Sequence, residues 1–457
     1  MEFSLSELNN VLGDIKNLSE GKRDSLNFKN ISIDSRTLLK NDLFIAIEGK
    51  NFDGHSFLPE VLNKGVKSVV IKKGMQRLLP SNFPYWVVND TLEAFQKLAL
   101  LKRKKLNIPI VAITGSVGKT TTKEMIGGVL NKLGRIKLSY ANFNNEIGVG
   151  LTILATDIED KALVLEMGMR GLGQIENLSK YSEPDIAVIT NIGTAHIGLL
   201  GSKKNITYAK CEISKFLNPE GVVIIPANDP FLEKTLKEFW KGRVIKVKLL
   251  NIENQKESFK KDDNLRGFYN PSNKTILIEE NTFEISFEGF HNASNFLFAY
   301  AVAKELGIDF ASFNKFDFVS LGGRNKILKS VKTTIYDESY NASPESVKAC
   351  IKNLLEKPRN KFFIFGSMQE LGEESEKYHK EIFNLVNNSD IEKCLFICDK
   401  KNEKIYINYL KDKKKFLVLN NIKDVPKEIN KSTKKGDSIL IKGSRCWQLE
   451  KIIELIN

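Results

Sequence analysis

Ile113-Thr114-Gly115-Ser116-Val117-Gly118-Lys119-Thr120-Thr121-Thr122 joins two unlike patterns. Before it, the apolar, β-branched run from Ile108 to Ile113 predicts a buried parallel strand. After it, Lys123-Glu124-Met125-Ile126 through Leu133 has helical spacing and stops at Gly134. Strand, glycine turn and helix make a phosphate cradle. The glycines let backbone N–H groups turn inward, and the helix N-terminus adds the positive end of its dipole. Gly115, Ser116, Val117, Gly118, Lys119, Thr120 and Thr121 are the nucleotide-binding candidates. Lys119 is expected to reach the terminal phosphates and the Thr120 hydroxyl to hold Mg²⁺. The spacing departs from the general phosphate loop, because Gly115 and Gly118 enclose only two residues.

Outward from this unit, 457 residues exceed what one core accommodates and predict two or three domains. Hydrophobic residues at 42% and charged residues at 27% place the chain with soluble globular enzymes. The opening Met1-Glu2-Phe3-Ser4-Leu5-Ser6-Glu7 lacks a basic, then apolar leader, and no apolar run is long enough for a bilayer, so a cytoplasmic protein is expected. Cys211, Cys350, Cys394, Cys398 and Cys446 are scattered without metal-ligand spacing and read as reduced thiols. The net charge of +13 raises nucleic acid as a partner. However, its densest runs, Lys256 to Lys261 and Lys411 to Lys415, read as solvated turns, and a positive field equally draws an anionic small substrate.

N-terminal to the loop, Ser4-Leu5-Ser6-Glu7 predicts a capping box. Ile31 to Arg36 and Asn41 to Gly49 alternate like strands joined by a turn. Ser35, Arg36 and His55 at their ends are candidates for a phosphorylated ligand, beside the plainer reading of a surface arginine and a turn histidine. Strands at Val69–Ile71 and Trp86–Val88 and a helix from Thr91 to Lys105 complete a first unit, residues 1–107.

The central unit, 108–320, reads as doubly wound α/β, with strands at Ile110–Thr114, Ala162–Glu166, Ile186–Thr190 and Val222–Pro226. Glu166 closes one strand and His196 follows another, in the plane where ligands of open sheets collect. Taken singly, a strand-end glutamate can be a helix cap and a lone histidine structural. Lys210 alone reads as a solvated helical lysine, and Asn144-Asn145-Glu146 as a turn before a helix. Residues 228 to 285 read as less constrained. Asn292 and Asn295 share a helical face, suited to an adenine edge or to capping.

The third unit, 321–457, opens at a hinge-like Leu321-Gly322-Gly323-Arg324. Strands follow at Thr334–Asp337, Phe362–Phe365, Leu395–Cys398, Phe416–Leu419 and Ser438–Ile441, with no phosphate loop.

In this order the pieces resemble the Mur ligase family, nearly end to end from Asp34-Ser35-Arg36 to Lys442-Gly443-Ser444-Arg445. Gly118 to Met125, Asn144 to Val149, Tyr340-Asn341-Ala342-Ser343-Pro344 and Met368-Gln369-Glu370-Leu371-Gly372 are similar to the branch that adds D-alanyl-D-alanine. The short glycine spacing is that family's own form. The resemblance implies three domains: one for the UDP end of UDP-N-acetylmuramoyl-tripeptide, a central P-loop domain for ATP, and a Rossmann-like C-terminal domain that brings the dipeptide and closes over ATP. It implies Lys119 on the phosphates, and Thr120, Glu166 and His196 serving a pair of Mg²⁺ ions together with a carbamylated Lys210. By the same resemblance Asn295 contacts adenine, and Arg324 and Asp337 approach ATP. Ser35, Arg36, Asn144, Asn145, Tyr340 and Asn341 face the substrates, and a monomer is expected. Two positions depart from the family's pattern: Ser367 stands for the usual Asp, and Ser343 for the second Asn of Tyr-Asn-Ala-Asn-Pro.

Other readings predict other features. A nucleic-acid-stimulated ATPase requires basic and aromatic residues interleaved on one face, and no such stripe is present. A single-amino-acid or folate-glutamate ligase of the same superfamily fits the Asn144 and Tyr340 segments less well.

Overall fold

The computed structural model describes residues 2–19, 21, 26–49, 52–254, 264–310, 315–316, 322–330, 332–410 and 414–456. Lys256 to Lys261, Lys411 and Leu321 of the hinge lie outside them.

Strand Ile110–Thr114 is buried at every position and pairs in parallel with Ala162–Glu166 on one side and Ile186–Ile189 on the other. Ile136–Leu138 flanks one edge, while Val222–Pro226, Arg243–Asn251 and Leu265–Asn270 extend the parallel sheet the other way. Thr275–Ile278 and Asn281–Ile285 then add antiparallel strands. The described residues between 228 and 285 are therefore ordered far more than their composition predicts. In Thr275–Ile278 and Asn281–Ile285 the side chains of Ile276, Ile278, Phe283 and Ile285 are buried while the residues between them are half-buried or exposed, the pattern of a one-sided sheet.

The helix after the glycine turn is Lys119–Leu130, followed by a short 3₁₀ turn that ends at Gly134 with φ +121°. It packs beside helix Phe290–Glu305 in a core that includes Ile126, Val129, Phe296 and Tyr300. The opposite face of the sheet is covered by a second core.

That second core continues into the first unit. Phe3, Leu8, Trp86, Phe95 and Leu98 pack in the same cluster as Ala112, Val149 and Leu165. Helix Thr91–Lys105 approaches helix Glu146–Leu154 so closely that a Cβ at Gly150 would stand 2.4 Å from the Phe95 ring. The first and central units thus share one apolar interior. In the first unit, Asn30–Ser32, Asp42–Ile45, Val69–Lys72 and Tyr85–Val88 are all parallel. The first two are consequently a crossover pair rather than strands joined by a tight turn. The capping box at Ser4 and Glu7 is formed.

The third unit has separate cores on the two faces of a sheet ordered Lys326–Lys329, Thr333–Glu338, Asp437–Lys442, Lys361–Gly366, Ile391–Ile397 and Phe416–Leu419. Only the first of these is antiparallel to its neighbour. Cys350, Cys394 and Cys398 are buried free thiols there, and Cys446 is an exposed one. Among the described residues, no helix is long and apolar enough to cross a membrane.

Candidate active site

A cleft of about 1540 Å³ opens where the central sheet's carboxyl edge meets the third unit. Its floor is the glycine turn. Gly115 has φ +155°, and a Cβ there would come within 1.9 Å of the Thr190 hydroxyl, so only glycine fits. Gly118 has φ +83° and caps helix Lys119–Leu130, with the Asn295 amide 2.6 Å from where a Cβ would be.

The loop's amides are not all turned inward as the sequence suggests. Ser116 N–H donates to Asn191 O (3.1 Å) and Val117 N–H to Asn191 Oδ1 (3.0 Å). Thr190 Oγ1 and Asn191 Nδ2 donate to Val117 O. These bonds brace the turn and leave the unpaired amides of the helix's first turn, together with its dipole, to face an anion. Lys119 Nζ folds back on Gly115 O at 2.7 Å. Burial holds its pKa below the ordinary lysine value; Glu166 opposes that shift and Arg324 adds to it.

Glu166 is the best-supported carboxylate in the cleft. It is 2% exposed; Oε2 accepts from Thr120 Oγ1 at 2.6 Å and Oε1 from Asn144 Nδ2 at 2.8 Å. Its own N–H donates to Ser139 Oγ, and buried Lys123 Nζ donates to Ser139 O at 2.6 Å. Lys123 is therefore structural support for the site. Asn144 serves this carboxylate, while Asn145 caps helix Glu146–Leu154 by accepting from Gly148 N–H.

Lys210, expected on a solvated face, is instead 1% exposed and has no hydrogen bond or ion pair among the described residues. Its helix, Lys203–Cys211, turns that position into the core. Burial, with Lys119 nearby, depresses its pKa well below the ordinary value. It does not line the cleft wall. Oxygen donors at Thr120 and Glu166 with the imidazole of His196 suit a hard divalent cation.

The opposite wall comes from the third unit. The Arg324 guanidinium stacks 3.8 Å above the Tyr340 ring, and the Arg445 guanidinium lies 5.6 Å from the same ring centre. Asp337 is turned away from the cleft. Its oxygens accept from Gly323 N–H, Ser339 N–H and Ser339 Oγ, fixing the turn that carries Arg324. Asn341 is exposed at the cleft, and its carbonyl accepts from Lys442 Nζ at 3.0 Å. His291, Glu338 and Cys350 bring their ligand-type atoms within 4.8 Å of one another, but the Lys442 charge acts on all three and disfavours a cation there.

Contacts between the two walls gather on residues 193–198. Glu345 Oε1 accepts from Thr194 N–H and Oγ1 at 2.8 and 2.9 Å. His196 Nδ1 lies 2.6 Å from Glu370 Oε2. Asn191, Glu345 and Glu338 escape the sequence reading. Glu345 follows Pro344 at a helix start, where an acid already has an ordinary reason to be.

The first unit contributes nothing to this cleft among the described residues. Ser35 Oγ donates to Glu60 Oε2, and exposed Arg36 pairs with Asp34 through two nitrogens. Both His55 ring nitrogens are used, Nδ1 against Asp53 and Nε2 accepting from Lys72 N–H, so His55 serves the fold. The two departures also find structural places. Ser343 caps helix Pro344–Leu355, and Ser367 O accepts from Trp447 Nε1.

Three family models cover the chain in sequence: "Mur ligase family, catalytic domain" at residues 27–112, "Mur ligase middle domain" at 113–303, and "Mur ligase, glutamate ligase domain" at 323–445. The UDP-N-acetylmuramoyl-tripeptide--D-alanyl-D-alanine ligase of Synechocystis is 36% identical over 82% of this chain and 79% of its own. That of Bacillus subtilis is 34% identical over 93% and 92%. The MurF ligase of Thermotoga maritima, solved in complex with ADP, superposes with a TM-score of 0.81 at 27% identity, over 93% of this chain and 96% of that one.

Proposed function

The chain belongs to the Mur ligase family, and from that premise we propose that it uses ATP to join D-alanyl-D-alanine to UDP-N-acetylmuramoyl-tripeptide, giving the UDP-pentapeptide. The observation that carries this reading is one cleft with a phosphate loop and a buried carboxylate on one wall and a separately cored domain on the other.

A carboxylate acylates poorly because oxide is a hopeless leaving group. Transfer of the γ-phosphoryl group makes an acyl phosphate; the dipeptide amine then attacks it and phosphate departs. Lys119 leaves Gly115 O to meet the phosphates, and the amides of residues 118–121 hold them at the helix start. Thr120, Glu166 and His196 are the residues that would hold Mg²⁺, two ions in this reading, which would supply positive charge to neutralise the phosphate oxygens. Lys210 is the carbamylation site in this reading: a buried, unpaired amine with a depressed pKa is neutral enough for its nitrogen to add to CO₂, releasing one N–H proton to solvent, and the resulting carbamate oxygens would help hold a cation.

Asn295 faces adenine beside Gly118, and Arg324 reaches ATP across the cleft while Asp337 acts through the turn behind it. Tyr340 and Asn341 line the dipeptide side. In the first unit, Arg36 is exposed, paired with Asp34, and meets the UDP end, while Ser35 shapes its support. We assign residues 1–107 to the UDP-substrate, 108–320 to ATP and 321–457 to the dipeptide. The second boundary lies outside the described residues.

Mass spectrometry of the UDP product tests this. The expected product gains the dipeptide less one water. A product bearing one amino acid, or none in the presence of dipeptide, overturns the assignment.

A further inference from the structure

The loop that carries Glu370 is fixed within its own domain before it reaches the central one. Met368 N–H donates to His379 Nε2 at 2.9 Å, and Gln369 N–H to Ser444 Oγ at 2.9 Å. Glu370 itself has φ +63°, a left-handed conformation that turns its side chain out of the loop's run. Its carbonyl accepts from Gly198 N–H at 3.1 Å. Gly198 and Gly372 pack backbone to backbone, and a Cβ on Gly198 would stand 2.5 Å from Gly372 N. The approach is too close for side chains on either glycine.

Across this seam the Glu370 carboxylate meets His196 Nδ1 at 2.6 Å. That nitrogen is buried and makes no hydrogen bond of standard geometry among the described residues, so this close ion-pair approach is its one polar contact. His196 also has a left-handed backbone, φ +66°, and sits at the cleft wall. With Nδ1 turned to Glu370, Nε2 is the ring nitrogen left for the cleft. A carboxylate behind a metal-binding imidazole fixes its tautomer and ring orientation and raises its basicity.

We propose that Glu370 is a positioning residue for His196: the third domain on docking delivers its carboxylate to Nδ1, sets Nε2 toward the cleft, and so completes the site of one divalent cation. The cation is at full strength only when the domain that brings the acceptor amine is docked. Phosphoryl transfer is thereby tied to the closed state, in which the acyl phosphate is shielded from water. The inference rests on the ligase reading for the identity of the nucleotide and cation, but its test uses neither UDP-substrate nor dipeptide.

Mn²⁺ is titrated into the full chain with saturating ADP and followed by electron paramagnetic resonance of the free ion. The wild type is expected to bind two ions. Glu370→Ala weakens one of them by roughly 10- to 100-fold and leaves the other ion and ADP as in the wild type. Glu370→Gln, which keeps an acceptor oxygen at the same reach, falls between. In a His196→Ala background, Glu370→Ala has no further effect, because the two act as a unit. A wild type that holds one ion, an unaltered second ion in Glu370→Ala, or multiplying effects of the two substitutions overturns the proposal. Failure of the ligase reading shows separately, in the UDP product.

Discussion

Thr120 and Glu166 meet through a 2.6 Å hydrogen bond that ties the first helical turn after the glycines to the end of the neighbouring strand. Nucleotide loop and buried carboxylate are thus one unit. Replacing Glu166 with Gln keeps shape and partners but removes the charge. The expected result is a loss in kcat on the order of 100- to 1000-fold, with ADP affinity held within a few-fold. Steady-state phosphate release and calorimetric ADP titration measure the two quantities.

Gly118→Ala meets two obstacles at once. Its φ of +83° strains any Cβ, and that Cβ would stand 2.6 Å from Asn295 Oδ1. A destabilisation of about 1–3 kcal/mol is expected from urea unfolding, together with weaker ADP binding. Adding Asn295→Ala removes the clash but not the strain, so it recovers only part of the lost stability.

Ser343, one of the family departures, accepts from Ser346 N–H as a helix cap. Ser343→Ala should cost about 1 kcal/mol of stability. Ser343→Asn, an equally good cap, should leave the urea midpoint near the wild-type value. Neither change should move the dipeptide KM, since the hydroxyl is engaged in the helix. A shifted KM shows that Ser343 touches substrate.

Buried His379 and half-buried His291 give stability a pH dependence. His379 Nε2 accepts from Met368 N–H while Nδ1 contacts Ser375 O, and burial lowers its pKa to about 4. His291 is lowered to about 4 by burial and the nearby Lys442 charge. The unfolded chain takes up these protons near pH 6.5, whereas the folded chain resists until about pH 4. Their stabilisation is full above pH 6.5 and is lost as pH falls, at about 1.4 kcal/mol per pH unit for each group. Urea midpoints from pH 7.5 to about 5 measure the slope, and His379→Gln should flatten it.

Much of this was legible in the sequence because strong local signals coincided with the fold. The run before Gly115 reads as a strand buried on both faces, and the strand ends at Thr114 and Glu166 follow from the same apolar runs, whereas the strand expected to reach Thr190 stops at Ile189. The resemblance supplied the rest of the site. What escaped depends on long-range geometry. Lys210 looks solvated until its helix is seen turned inward, and the polar positions of the described strands between 243 and 285 hide a one-sided extension of the sheet. The bracing of Ser116 and Val117 by Asn191 has no local signature, nor does the meeting of Glu345 and Glu370 with residues 194–198.

In this mechanism the γ-phosphoryl group activates the substrate's carboxylate. UDP-muramoyl-tripeptide carrying ¹⁸O in both oxygens of its terminal carboxylate, incubated with ATP, Mg²⁺ and D-alanyl-D-alanine, tests it most directly. One ¹⁸O is expected in each phosphate released and one in the new amide, with no labelled phosphate from Lys119→Ala. Label appearing in AMP, or unlabelled phosphate released at the same rate without the dipeptide, would contradict it.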